Sequence, residues 1–289
     1  MNKKIIKAIG IAVALLAGSP VSFAGTLGEA RQTYATRIIH LGSAPQRYEG
    51  VVPPSGVREI TYQSGKLKLK AWLSTPVKKA GLTPAVVFLH GGFAFGADDW
   101  DAAKMLVDAG YILLMPRLRG ENGNPGNFEL FGGEVDDAIA AGRYLAEVPG
   151  VDKDRVFVVG HSVGASLAIL VAQMNTPFRA SASLSGYPRL LEWIDHFDRS
   201  EPFNKLDEME RKIRNPYLYV DSVRIPLFLF SESDNARVKS TNAEFCALVA
   251  KTSGCHHQVI GGNHVSMIAP ALKNVIELFR ELSKTQKLE

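Results

Sequence analysis

Five consecutive residues, Gly160-His161-Ser162-Val163-Gly164, constrain this chain more than any other feature. The apolar run Val156–Val159 precedes them and reads as a strand buried on both faces. Ser162–Met174, rich in Ala and Leu, follows and reads as a helix. A chain that leaves a strand and enters a helix in so few residues must turn sharply. A side chain at either flanking glycine would crowd that turn. The turn lifts the Ser162 hydroxyl above the sheet and holds Ser162 under backbone strain. The strand before and the helix after, more than the G-x-S-x-G pattern itself, make Ser162 a candidate nucleophile.

The rest of the chain supplies the sheet that such a turn requires. Val57–Tyr62 and Leu67–Thr75 alternate apolar and polar residues around Ser64-Gly65, which predicts a hairpin. Apolar strands then alternate with helix-spaced segments. The strands are Ala85–Leu89, Tyr111–Met115, Val156–Val159, Ala182–Leu184, Ile225–Phe230 and His257–Ile260. The helices are Trp100–Ala109, Glu134–Glu147, Ser162–Met174, Ser240–Lys251 and Ser266–Lys284. This beat predicts an α/β class with a mostly parallel sheet, helices on both faces and the opening hairpin as an antiparallel edge. Residues 25–56 read as an N-terminal arm with one helix near Leu27–His40, and residues 57–289 as one domain. Gly186–Val223 is longer than one crossover needs and carries Tyr187, Trp193, Phe197, Phe203, Tyr217 and Tyr219. We expect a small helical insertion there, a candidate lid over 187–223, with a longer crossover helix as the alternative.

A serine hydroxyl needs a base, and the base an acid to orient it. In this type of strand–turn–helix site the order along the chain is Ser, acid, His. Ser231-Glu232-Ser233-Asp234 follows the strand Ile225–Phe230, and Asp234 is the expected acid. Glu232, closer to the strand end, is its rival. Gly261-Gly262-Asn263-His264 follows the last strand, which makes His264 the expected base. His256 and His257 fall at the start of that strand, the wrong end of the sheet. A developing oxyanion needs backbone N–H donors. One is expected from Val163, the other from Gly92 or Phe93 in the loop His90-Gly91-Gly92-Phe93. His90 itself reads as a structural loop residue.

H-G-G-F at 90–93, R-G-E-N-G-N-P-G at 119–126, F-G-G-E-V-D-D at 131–137 and G-H-S-V-G-A-S at 160–166 resemble the catalytic domain of prolyl oligopeptidase-like and dienelactone hydrolase-like proteins. The likeness covers most of residues 57–285 and implies an α/β-hydrolase fold with the triad Ser162, Asp234 and His264. Oligopeptidases carry a β-propeller before this domain, for which the residues ahead of Val57 are too few, and a tyrosine in the oxyanion hole with no evident equivalent here. Dienelactone hydrolases use a cysteine nucleophile where this sequence has Ser162. The expected activity is therefore ester hydrolysis on small or medium esters. A peptidase for short peptides is the alternative, and a binding protein that kept the fold without catalysis is the third.

The net charge of +4 does not point to nucleic acid. Three of the lysines, Lys3, Lys4 and Lys7, lead an apolar run from Ile9 to Ala17 and a small-residue exit at Ser22 and Ala24. That pattern predicts a signal peptide over 1–24, a periplasmic or secreted protein and no membrane insertion once it is removed. Cys246 and Cys255 could form a disulfide in such a compartment, but spacing does not supply the Cα separation and leaves the bond open. No metal motif or phosphate-cradling loop stands out, so no cofactor is expected.

Overall fold

The predicted hairpin forms. Strands β1 (Val57–Ser64) and β2 (Leu67–Ser74) pair antiparallel, with Val57 opposite Ser74 and Ser64 opposite Leu67. Gly65 takes the left-handed conformation, φ +54°, that the tight connection requires. The computed structural model describes residues 25–75, 81–197, 201–251 and 254–284; the predicted signal peptide lies outside them.

The remaining strands are β3 (Thr83–Leu89), β4 (Ile112–Pro116), β5 (Val151–His161), β6 (Ser181–Leu184), β7 (Leu227–Glu232) and β8 (Cys255–Ile260). Among the described residues they make one sheet in the order β1-β2-β4-β3-β5-β6-β7-β8. β2 pairs antiparallel with both β1 and β4, and every pairing from β4 through β3 and β5 to β8 is parallel. The crossover helices are α2 (Ala97–Asp108), α3 (Glu134–Ala146), α4 (Val163–Ala172), α7 (Ala236–Val249) and α8 (Ile268–Lys284).

The strand alternation sorts the core into layers. Val86 and Phe88 of β3, with Phe157 and Val159 of β5, pack against Trp100 and Leu106 of α2 and Leu272, Val275 and Phe279 of α8. Their neighbours Val87, Leu89, Val156 and Val158 face Val135 and Ile139 of α3 and Leu167 and Leu170 of α4 on the other side. Leu227 and Leu229 of β7 meet Phe245 and Val249 of α7 on that second side. Gly164 through Ala172 are all buried, as an Ala- and Leu-rich helix covered on every side must be.

Two elements depart from expectation, the N-terminal helix and the end of β7. The N-terminal helix α1 (Leu27–Thr33) is capped by Thr26 in a reciprocal box with Glu29, and it stops well before His40. Beyond it the chain extends, because the Tyr34 hydroxyl and the Arg37 N–H both donate to Glu210 Oε1, a reach that a continuing helix would not allow. The 186–223 insertion holds α5 (Leu190–Asp195), α6 (Glu208–Lys212) and a 3₁₀ segment, Pro216–Ser222, the small helical insertion expected there rather than the alternative of one crossover helix. β7 runs two residues past Phe230, to Glu232. The Cys246–Cys255 disulfide, left open by the sequence, is present and ties α7 to the start of β8 with Cα atoms 5.4 Å apart. No helix among the described residues is long and apolar enough to cross a membrane.

Candidate active site

The carboxyl ends of β3, β5, β6, β7 and β8 meet at one edge of the sheet, where parallel α/β folds bind ligands. Ser162 sits there at φ 57°, ψ −115°, a conformation that costs a non-glycine residue roughly 1–3 kcal/mol. The turn is pinned on both sides: Ser162 N–H donates to Leu184 O at 3.0 Å and Gly164 N–H to His90 O at 3.1 Å. A Cβ at Gly160 would run into the Gly164 carbonyl, and one at Gly164 into the carbonyls of Leu89 and His90. Both glycines are therefore steric requirements, as the sequence suggested.

His264 lies in the turn after β8. Asn263 Oδ1 accepts from the N–H groups of Val265 and Ser266, and Ser266 Oγ accepts from Asn263 N–H. Its Nδ1 stands 3.6 Å from Glu232 Oε1. Asp234, the expected acid, is exposed and bonded through Oδ1 to the Ser233 hydroxyl at 2.8 Å. The geometry thus brings Glu232, and not Asp234, to the imidazole. The physical reason is the two extra residues of β7. They put Glu232 at the strand tip, buried and in register with Ile260 of β8, and they carry Asp234 into the loop beyond. Asn235 Nδ2 donates to Glu232 Oε1, while Glu232 Oε2 is buried without a partner among the described residues.

Two residues that sequence order did not nominate also hold His264. Ser185, at the end of β6, places its hydroxyl 2.7 Å from Nδ1. His161, inside the elbow motif, donates from Nε2 to the His264 carbonyl at 2.9 Å, with ring centroids 4.8 Å apart. Burial lowers the His161 pKa, and the nearby His264 adds to that against the hydrogen bond to its carbonyl. The pattern G-H-S-V-G carried a signal for His161, whereas nothing in the sequence around Ser185 did.

The loop after β3 is fixed from beneath. His90 is buried, with Nε2 3.0 Å from Glu121 Oε2, and the same oxygen accepts from Leu118 N–H. Burial alone would keep His90 neutral, but the charge and hydrogen bond of Glu121 outweigh it and raise the pKa to about 9. His90 is therefore held as the imidazolium at neutral pH. This agrees with a structural role for His90. Gly92 takes φ +68°, which only glycine adopts without strain. The Phe93 N–H donates to Gln46 Oε1 at 2.9 Å, so the N-terminal arm already occupies one of the two expected donors.

Ser162, Ser185, Glu232 and His264 line one cavity of about 490 Å³. Phe131, Val163, Leu190 and Trp193 give it apolar walls, and Glu192 and Arg237 give it charged ones. Of the insertion's aromatics, Tyr187 and Trp193 reach the cavity. Phe197 packs beside Trp193 and Phe93, and Tyr217 turns away onto Phe245 of α7. Phe131 is held by cations: Arg31 donates to the carbonyls of Phe131 and Gly132, and buried Arg214 to those of Leu130 and Glu129. These bonds secure Leu130 and Phe131 at positive φ, 51° and 65°. The R-G-E-N-G-N-P-G and F-G-G-E-V-D-D segments meet where Arg119 grips Asp137 through Nε and Nη2, at 2.9 and 2.8 Å. Their role is to lock the loops behind the cavity.

A parallel sheet, a serine on a strained strand–helix turn and a histidine beyond the last strand define an α/β-hydrolase. Residues 86–239 match the profile of the alpha/beta hydrolase family, and the chain belongs to that family. Over 114 residues it is 31% identical to a Bacillus subtilis (strain 168) protein named uncharacterized peptidase YtmA, a match that spans 39% of this chain and 44% of that one. The chain thus spans about half the length, or less, of such curated relatives. Among solved structures, the Pyrococcus furiosus esterase Pf2001 aligns at TM-score 0.66 and 21% identity over 83% of this chain and 98% of its own. A Pyrococcus horikoshii acylaminoacyl peptidase aligns at TM-score 0.63 and 21% identity over 80% of this chain and 42% of its own. Likeness at this identity concerns the fold.

Proposed function

We propose that the protein is a serine carboxylesterase acting on small or medium esters with an apolar acyl or alcohol group. One observation carries this: strained Ser162, His264 and buried Glu232 converge on a cavity of about 490 Å³ walled by Phe131, Val163, Leu190 and Trp193. Apolar walls with a few convergent polar groups suit such a ligand.

In the proposed reaction His264 Nε2 takes the Ser162 proton as Oγ attacks the ester carbonyl. Glu232, facing Nδ1, stabilises the imidazolium that forms. The N–H groups of Val163 and Gly92 receive the oxyanion. We favour Gly92 over Phe93 because the Phe93 N–H already serves Gln46. Collapse breaks the C–O bond, Nε2 protonates the leaving alcohol, and water activated by the same nitrogen releases the acid from acyl-Ser162.

Tyr187, Leu190 and Trp193 of the insertion cover the cavity and act as its lid. Residues 1–24 act as an export signal, and the Cys246–Cys255 bond fits the oxidising compartment this implies. A second reading, peptidase action on short peptides, draws on the paired Glu192 and Arg237 at the cavity wall, which could meet peptide termini. An amide also needs its amine protonated on departure and its chain held closely, which an apolar cavity does little to provide. Comparison of kcat/KM on nitrophenyl butyrate and aminoacyl nitroanilides tests the ranking. Esters should be cleaved far better, and efficient anilide cleavage with weak esterase activity would reverse it.

A further inference from the structure

We propose that Ser185 is a positioning residue of this site: its hydroxyl oxygen accepts the Nδ1 proton of His264 and holds the ring in the tautomer that leaves Nε2 free to receive a proton. The role rests on the nucleophile and base assigned above, and adds to them a residue that the order Ser, acid, His does not contain.

Distance separates Ser185 from the carboxylate. The Ser185 hydroxyl is 2.7 Å from Nδ1, a hydrogen bond, whereas Glu232 Oε1 is 3.6 Å away, too far for one. Glu232 acts on the ring by charge, and the directional contact belongs to Ser185. A neutral imidazole carries one proton. If the hydroxyl donated to Nδ1, that proton would sit on Nε2 and His264 could not act as a base. A base therefore needs its proton on Nδ1, and the Ser185 oxygen, the atom within hydrogen-bond distance of Nδ1, accepts it.

The hydroxyl is held where it is at a cost. Ser185 adopts φ 58°, where glycine would sit without strain, and it is only 5% exposed. Its N–H donates to Phe230 O at 2.7 Å, which ties the end of β6 to β7 two residues before Glu232. The strand ends thus set hydroxyl, carboxylate and imidazole together. The groups around the ring are His161, which binds the His264 carbonyl, Ser185 and Glu232.

The test combines nitrogen-15 NMR of the His264 imidazole in the resting full chain with steady-state kinetics of Ser185→Ala and Ser185→Gly. The unaltered protein should show the Nδ1–H tautomer. Both variants should shift His264 towards Nε2–H and lose about tenfold in kcat, the scale of one hydrogen bond, with KM within about twofold. Glycine relieves the positive φ, so Ser185→Gly should be at least as stable as the unaltered protein while still losing kcat. An unchanged tautomer in either folded variant would overturn the proposal even if kcat fell, because the loss would then be structural. So would an unchanged kcat. The tautomer is read without turnover. Failure of the unaltered protein to react at Ser162 would instead count against the serine-hydrolase assignment.

Discussion

Replacing Glu232 by Gln and Asp234 by Asn distinguishes the acid that the structure favours from the one that chain order suggested. Glu232 Oε1 stands 3.6 Å from His264 Nδ1. Unit charges at that distance attract by about 1 kcal/mol in water and about 5 kcal/mol at an effective dielectric of about 20. Glu232 is 2% exposed and the His264 side chain 47%, so the interaction falls between these limits, at roughly 2–4 kcal/mol. The imidazolium that Glu232 would stabilise forms as Ser162 loses its proton in the proposed reaction, so the loss should appear in kcat, by roughly 30- to 1000-fold, with KM little changed. Asp234 is exposed and bonded to Ser233. A screened surface charge contributes under about 1 kcal/mol, so Asp234→Asn should cost less than about fivefold. The assay is kcat and KM on nitrophenyl butyrate at fixed pH, with circular dichroism to confirm folding. A hundredfold loss in Asp234→Asn beside a near-normal Glu232→Gln would refute the reasoning and restore the order-based assignment.

Two further outcomes follow from the scaffold. The His90 pKa is raised to about 9 in the fold, against burial, by Glu121; stability from this pair is therefore full below about pH 6.5, the unfolded value, and declines as pH rises through about 9. Urea midpoints from pH 6 to 10 should fall over that window in the unaltered protein and less so in His90→Gln, and parallel curves would contradict the charged pair. The Cys246–Cys255 bond closes a loop of nine positions, worth about 2.5 kcal/mol in the chain-entropy account, so Cys246→Ser/Cys255→Ser should lower Tm by roughly 5–10 °C. An unchanged Tm would show that the bond does not constrain the unfolded chain.

Much of this architecture was legible because its signals are local. The apolar runs Ala85–Leu89 and Val156–Val159 read as strands with both faces covered and form them, and the glycines around Ser162 mark a turn with no room for a Cβ. The place of His264 was legible because a Gly-rich loop after the last strand fixes its edge of the sheet. The carboxylate nearest the imidazole is Glu232 rather than the expected Asp234 because that contact depends on where β7 ends, and a strand end is set by pairing: Glu232 stays in the sheet through its register with Ile260. Ser185 and Gln46 were invisible for a related reason. Ser185 contacts a residue 79 positions away and Gln46 one 47 positions away, and neither lies in a pattern that announces it. The α1 boundary failed likewise, since Glu210, far along the chain, draws Tyr34 and Arg37 out of helical conformation. The R-G-E-N-G-N-P-G and F-G-G-E-V-D-D segments were noticed as motifs, but their ion pairs and cavity-wall role needed the fold to be seen.

The central claim is that Ser162 is the nucleophile, and covalent capture tests it most directly. The protein is treated with a fluorophosphonate, digested and read by mass spectrometry. A single adduct is predicted on the peptide containing Ser162, formed with loss of esterase activity in step, and absent from a folded Ser162→Ala protein that has itself lost several orders of magnitude in kcat. An intact protein that turns over esters with Ser162 unlabelled, or a Ser162→Ala variant with normal turnover, would contradict the account.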